Sequence, residues 1–246
     1  MVTSPLPHAL TARAPPAPYT PPVPLLLLFD IDLTLIATSG AGRVALDRAF
    51  EQVIAVPAAT DGVRFDGRTD RAIITEVLER YGHPVRRFAE VRDAYLAHLP
   101  AALAEQGGKV LPGVEPLLEA LRRELPGIGL ATGNLREGAR RKLSHFGLWQ
   151  HFAAGGFGDD HADRSRIVAA AIDALAAAVG APADPSRALV IGDTPLDVAA
   201  ALAVGARPVG VATGRYTEAD LRAAGAEHVL PGFTDLDRTL AVLLGG

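Results

Sequence analysis

The sequence predicts an α/β protein built on a parallel sheet, with an all-helical block inserted after the first strand. Three observations carry that prediction. LLLLFDIDLT at residues 25–34 is an unbroken apolar run closed by two aspartates, the pattern of a strand buried on both faces that delivers carboxylates at its end. Residues 43–105 show helical periodicity and no strand pattern. From Leu111 onward, short apolar runs alternate with helical ones, as strands joined by crossover helices do. The chain therefore divides into a tail at 1–24, a core formed by 25–36 and 111–246, and a helical insert at 37–110.

Taken in order, the tail is dense in proline and poor in core-forming residues, so it is expected to be disordered or polyproline-like. Its prolines also interrupt the apolar stretch that a secretory leader needs. The first strand ends at Asp30. Side chains alternate along extended backbone, so Asp30 and Asp32 project to the same side, where they repel unless a cation or a shared proton offsets them. Residues 36–42, with Gly40 and Gly42, read as a short flexible passage. A helix over 43–56 follows from the spacing of Val44, Leu46, Ala49, Phe50 and Val53. A loop then leads to FDGRTD at 65–70, and a second helix runs from Thr69 or Asp70 to Tyr81. Pro84 suits the start of a third helix reaching about Glu105, with Val91, Tyr95 and Leu99 on its apolar face.

In the core, Pro112 and Gly113 open a helix that runs through Arg123, and 127–131 is a short strand ending at Thr132. A helix over 135–146 is stopped by Gly147. Next come a weak strand at 152–155, an alanine-rich helix at 165–179 and a strand at 188–191 running into Gly192 and Asp193. Helices at 197–204, 218–224 and 236–244 alternate with strands at 208–211 and 228–230. In open parallel sheets the working groups lie beyond the carboxyl ends of the strands. Asp30, Asp32, Thr132, Asp193 and either Asp159 or Asp160 fall there.

Composition excludes several classes of function. A net charge of −4 and a pI near 6.0 leave no basic footprint for nucleic acid. No apolar run approaches the ~20 residues that a membrane span requires. With no cysteine, disulfide and thiolate chemistry are absent. A soluble cytoplasmic monomer or homodimer is the expectation.

Three motifs sit at strand ends in order: FDIDLT at 29–34, LATGN at 130–134 and IGDTPLD at 191–197. Together they resemble the haloacid dehalogenase-like hydrolase superfamily, and specifically its phosphoglycolate phosphatase-like members with a helical cap. That resemblance spans essentially all of 25–245 and implies a Rossmann-like core whose insert is a cap domain. It also implies phosphoryl transfer, with Asp30 as nucleophile forming an aspartyl-phosphate and Asp32 as general acid and base. Mg²⁺ would be held by the Asp30 carboxylate, the Asp32 backbone carbonyl and the Asp193 carboxylate, with Asp197 one helical turn on holding a water or a basic partner. Thr132, Gly133 and Asn134, between a strand and a helix, suit a phosphate cradle made of a hydroxyl, backbone N–H groups and a helix N-terminus. Both Asp193 and Thr132 also suit ordinary helix capping.

One departure from the family pattern bears on the site. The family supplies a lysine shortly after the third strand, where this chain reads FGDDHADRSR. Arg164 is the first candidate to replace it and Arg166 the second, although arginine offers a bidentate fork instead of a point charge. Lys142, in the middle of REGARRKLSHF, is assigned to a solvated helix face. In the insert, Arg68 of GRTD can present a guanidinium to substrate or can simply accompany a Thr69 helix cap, and Arg43 is a weaker candidate. Asp159 and Asp160 are expected to line the site's mouth or cap the helix that starts near Ser165.

The functional expectation is a Mg²⁺-dependent phosphatase acting on a small phosphorylated metabolite, phosphoglycolate- or sugar-phosphate-like. A phosphomutase shares the same catalytic carboxylates, and a catalytically silent binder of phosphorylated ligands remains a second alternative. Asp32 and Asp193 argue against a dehalogenase. The absence of GxxxxGK argues against a P-loop enzyme.

Overall fold

The computed structural model describes residues 25–159 and 161–245, so the proline-rich tail and Asp160 lie outside the described residues. Six parallel strands form the core sheet in the order β5-β4-β1-β6-β7-β8. They are β1 (Leu26–Phe29), β4 (Ile128–Ala131), β5 (Phe152–Gly156), β6 (Ala188–Gly192), β7 (Arg207–Val211) and β8 (His228–Leu230). β1 is buried along its whole length, as its unbroken apolar run requires. It lies between β4 and β6, pairing Phe29 with Leu130 on one side and Ile191 on the other. The chain passes from β1 outward in one direction to β4 and β5, then returns to start again at β6. The carboxyl ends of β1, β4 and β6 therefore flank the crevice where the strand order reverses, the place such sheets offer to ligands.

Helices α4 (Val114–Glu124), α5 (Arg136–His145), α6 (Arg164–Val179), α7 (Pro195–Ala203), α8 (Glu218–Ala223) and α9 (Leu236–Leu244) are the core helices. Two of the apolar clusters on this framework lie against β1. One gathers Leu27, Phe29, Ile31, Leu117, Leu121 and Phe233; the other gathers Leu26, Leu28, Val168, Ile172, Leu175 and Val190. Alternate residues of β1 thus feed different clusters, as the two-residue period of a strand dictates. Helix starts carry their chemistry in the side chains: Thr194 caps α7 and Thr217 caps α8 in reciprocal capping boxes, and Asp163 caps α6.

The insert consists of α1 (Ala41–Ile54), α2 (Asp70–Arg80) and α3 (Phe88–Gln106), with a 3-10 turn at Val85–Arg87 leading into α3. It has a core of its own, built on Phe50, Ile73, Val77, Leu78, Tyr95 and Leu99. The passage at 36–42, read from sequence as flexible, instead begins with a strand. β2 (Ile36–Ala37) pairs antiparallel with β3 (Lys109–Val110), so the outgoing and returning chains are stitched together at the foot of the insert. Two-residue strands carry too short a pattern for period-2 reading, and their pairing partner lies some seventy residues away. Among the described residues no helix is long and apolar enough to cross a membrane.

Candidate active site

Asp30 follows β1 and is 6% exposed. Burial, with Asp197 and Asp32 nearby, pushes its carboxyl up to about 7, while Arg164 and a hydrogen bond from Thr132 act in the opposite direction. Asp193, at the end of β6, is pushed to about 8 by burial and by the charges of Asp30 and Asp197. Carboxylate oxygens of Asp30, Asp193 and Asp197 all lie within 4.8 Å of one another. This all-oxygen cluster of mutually repelling buried acids suits a hard divalent cation. Asp197 is the member already satisfied: one oxygen accepts the Thr194 N–H at 3.1 Å and hydroxyl at 2.7 Å, and the other accepts from Arg164. Asp30 and Asp193 are then the carboxylates left to face a metal, and the Thr34 hydroxyl approaches Asp193 at 3.5 Å.

Arg164 opens α6 and reaches between Asp197 and Asp30, whose Oδ1 it approaches at 3.5 Å. Burial works against its charge, and Asp197 and Asp30 more than restore it. Arg164, the sequence's first candidate to replace the missing lysine, thus stands as a cation beside Asp30. Thr132 is fully buried at the end of β4, and its hydroxyl accepts from the backbone N–H and side-chain amide of Asn134. Asn134 also donates to Asp32 at 2.8 Å.

The assignment of Lys142 to a solvated face is incorrect. Its ammonium donates to both oxygens of Asp32, at 2.9 and 2.7 Å, and to Asn134 Oδ1 at 2.7 Å. Its side chain is 6% exposed. Burial alone would favour the neutral amine, but the charges of Asp32 and Asp70 raise its pKa above the ordinary value. A signal for this was present in the sequence. Leu135, Ala139, Lys142 and Phe146 fall at helical i, i+4, i+7 and i+11 spacing, so Lys142 belongs to the apolar stripe of α5, with Arg140 and Arg141 masking it.

The GRTD segment docks the insert onto the core. Gly67, with φ near +66°, lets the chain pass over the start of α7, where a Cβ would fall 2.6 Å from the Thr194 hydroxyl. A Cβ at Gly133 would fall 2.5 Å from the Arg68 carbonyl oxygen, so only glycine allows this approach. Thr69 caps α2, its hydroxyl accepting from Ala72 N–H at 3.1 Å. Asp70 bridges the two parts: its N–H donates to the Gly133 carbonyl at 2.8 Å, and its carboxylate accepts from Leu135 N–H at 2.9 Å. The Arg68 guanidinium pairs with Glu76 at 2.6 Å, and Arg43 binds the carbonyls of Thr60 and Val63 while stacking on Phe65. Asp159 caps α5 by accepting from Arg136 N–H; the α6 cap expected of it or of Asp160 is made by Asp163. A cavity of about 370 Å³ lies between the strand ends and the insert, lined by Asp30, Asp32, Thr132, Lys142, Arg164 and Asp193 among others.

This sheet order, with acids at its switch point and a helical insert over them, defines a capped α/β protein of hydrolase type. The model of the haloacid dehalogenase-like hydrolase family matches residues 27–211, and the chain belongs to that family. A phosphoglycolate phosphatase of Cereibacter sphaeroides is 31% identical over 134 residues, which cover 52% of this chain and 60% of that relative, less than two thirds of its length. Among solved structures, a predicted phosphatase from Clostridium acetobutylicum superposes with a TM-score of 0.69 at 20% identity, covering 90% of this chain and 100% of its own. A hydrolase from Pseudomonas syringae gives 0.68 at 25% identity, covering 89% and 99%.

Proposed function

We propose that this chain is a Mg²⁺-dependent phosphatase that hydrolyses a small phosphorylated metabolite, phosphoglycolate- or sugar-phosphate-like, through an aspartyl-phosphate on Asp30. The observation that carries the reading is the placement of Asp30 and Asp32 on one small cavity, with Lys142 paired to Asp32 and Arg164 shared between Asp30 and Asp197. Asp30 attacks phosphorus and the bond to the substrate's ester oxygen breaks. Asp32 gives that oxygen its proton, then takes a proton from the water that attacks phosphorus and releases Asp30 and inorganic phosphate. Arg164 and the Thr132–Asn134 turn hold the phosphoryl oxygens, and Lys142 with Asn134 fixes the position of Asp32. Asp30, Asp193 and the Asp32 carbonyl are the groups that would hold Mg²⁺, which when bound supplies positive charge to the phosphoryl oxygens and relieves the repulsion among the acids.

Residues 37–110 act as the cap, which excludes water and limits substrates to small molecules. The reading places the protein in the cytoplasm as a monomer or homodimer, with no nucleic-acid or membrane partner. Similarity to phosphoglycolate phosphatases supports hydrolysis over the mutase alternative. Release of p-nitrophenol from p-nitrophenyl phosphate, measured with Mg²⁺, with chelator, and for Asp30→Asn, tests the mechanism. Activity is expected to vanish in the last two cases, and survival in both refutes it.

A further inference from the structure

Both peptide groups that flank Asn134 are held by one residue of the insert. Asp70, the first residue of α2, donates its backbone N–H to the Gly133 carbonyl at 2.8 Å, and its Oδ2 accepts the Leu135 N–H at 2.9 Å. The carbonyl belongs to the peptide before Asn134 and the N–H to the peptide after it. Each peptide is a rigid plane, so the two bonds together orient the Asn134 backbone. Asp70 is 8% exposed and Asn134 5%, which makes water a poor substitute for either bond.

That orientation reaches the chemistry through the Asn134 side chain. Its amide donates to Asp32 Oδ2 and to the Thr132 hydroxyl, both at 2.8 Å, and its oxygen accepts from the Lys142 ammonium at 2.7 Å. Lys142 is the other side-chain partner of Asp32 and rides on α5, where Leu135 at the N-cap offers no side-chain acceptor. Asp70 brings an acceptor to that end from another part of the chain. Both groups that hold Asp32 are thus tied to Asp70, which itself makes no hydrogen bond to Asp32. Other contacts at this junction already dock the insert: Arg71 donates to the Asp159 carbonyl at 2.8 Å, and the Arg68 carbonyl packs on Gly133. Asp70 differs from them in gripping both sides of Asn134.

We propose that Asp70 is a positioning residue for the general acid and base: by fixing the peptides around Asn134, it sets the Asn134 and Lys142 bonds that hold Asp32 within reach of the leaving oxygen. The inference rests on the phosphatase reading and adds to it a residue of the insert. A general acid works only within hydrogen-bond reach, so a misplacement of about 1 Å costs about 100-fold.

The test compares p-nitrophenyl phosphate with phenyl phosphate, two esters of one ring that differ in how much the departing oxygen needs a proton. p-Nitrophenolate leaves without one, whereas the more basic phenolate depends on the acid. The quantity read is kcat/KM of the full chain with Mg²⁺, which covers the step that releases the leaving group. Asp70→Ala is expected to slow phenyl phosphate about tenfold more than p-nitrophenyl phosphate. Asp70→Asn keeps an acceptor for the Leu135 N–H and is expected to recover most of that difference. Thr69→Ala removes the α2 cap but neither bond to the Asn134 peptides, and is expected to show no selectivity between the esters. Should Asp70→Ala fail to fold, Asp70→Glu, which keeps the charge and shifts the acceptor by one carbon, is read in the same way. Equal slowing of the two esters, no recovery in Asp70→Asn, or the same selective loss in Thr69→Ala overturns the proposal and leaves the phosphatase reading standing. A wild type that hydrolyses neither ester overturns both.

Discussion

Replacing Lys142 by methionine is the perturbation that best separates a working site residue from a surface one. The ammonium makes three hydrogen bonds, of 2.7, 2.7 and 2.9 Å, to Asp32 and Asn134. Removing one partner of a fully buried ion pair costs about 3–5 kcal/mol. The Asp32 side chain keeps 38% exposure, so water takes over part of the lost interaction. A destabilisation of about 2 kcal/mol is therefore expected, which for a chain of this size lowers the melting midpoint by about 4–8 °C. Turnover should suffer more. With Lys142 gone, the Asn134 amide is the remaining side-chain hydrogen bond on Asp32, and a misplaced general acid and base loses about 100-fold in kcat. KM should move little, because Lys142 acts through Asp32 and not on the phosphoryl group. Lys142→Arg restores the charge without the point-like geometry and should recover only part of the rate. Phosphate-release kinetics and thermal melts on the same preparations make the measurement. Full turnover with an unchanged midpoint in Lys142→Met would refute the reasoning.

Three further outcomes follow from the same geometry. Arg164→Ala leaves Asp30 and Asp197 buried without their shared cation, so it should cost at least as much stability as Lys142→Met, about 3 kcal/mol, and abolish turnover; an unchanged melting midpoint would contradict the placement. Asp70 has a pKa near 6 in the fold, raised from 3.8 first of all by burial, so the native state holds its proton more tightly than the unfolded chain does. Stability from this group is full below about pH 4 and is lost as pH rises to about 6, a change of roughly 3 kcal/mol that Asp70→Asn should remove from denaturation curves taken across that range. Mg²⁺ should raise the melting midpoint of the wild type but not of Asp193→Asn, read by thermal melts with and without the ion.

Most of the framework was legible because its signals are local. Unbroken apolar runs marked β1 and β6, and Thr, Asp and Pro near helix starts fixed the core helices to within a few residues. The strand ends located Asp30, Thr132 and Asp193, and Arg164 lies beside Asp30. What escaped depends on contacts distant in sequence. β2 and β3 are each two residues long and gain their meaning only from each other. Lys142 looked solvated because a charged helix was judged by composition, whereas its position on the Leu135–Ala139–Phe146 stripe decides its burial. For Arg43 and Arg68, both on the cavity wall, a sequence does not display the Thr60 and Val63 carbonyls or Glu76 that engage them.

The pairing pattern also explains how two aspartates two residues apart can be kept at one strand end. Each is given a cation from a different helix, Arg164 of α6 for Asp30 and Lys142 of α5 for Asp32, so the two carboxylates sit in separate electrostatic settings and are free to take different roles. Arg164 is shared with Asp197, however, and Asp193 has no cation of its own among the described residues. Counted as ionised, Asp30, Asp32, Asp193 and Asp197 face Arg164 and Lys142, an excess of two negative charges. Burial first, and then that excess, raises the pKa values of Asp30 and Asp193, a tendency to hold protons. On the proposed reading, a divalent cation held by Asp30 and Asp193 would neutralise that excess and favour loss of the protons, the state in which Asp30 would act as a nucleophile at neutral pH.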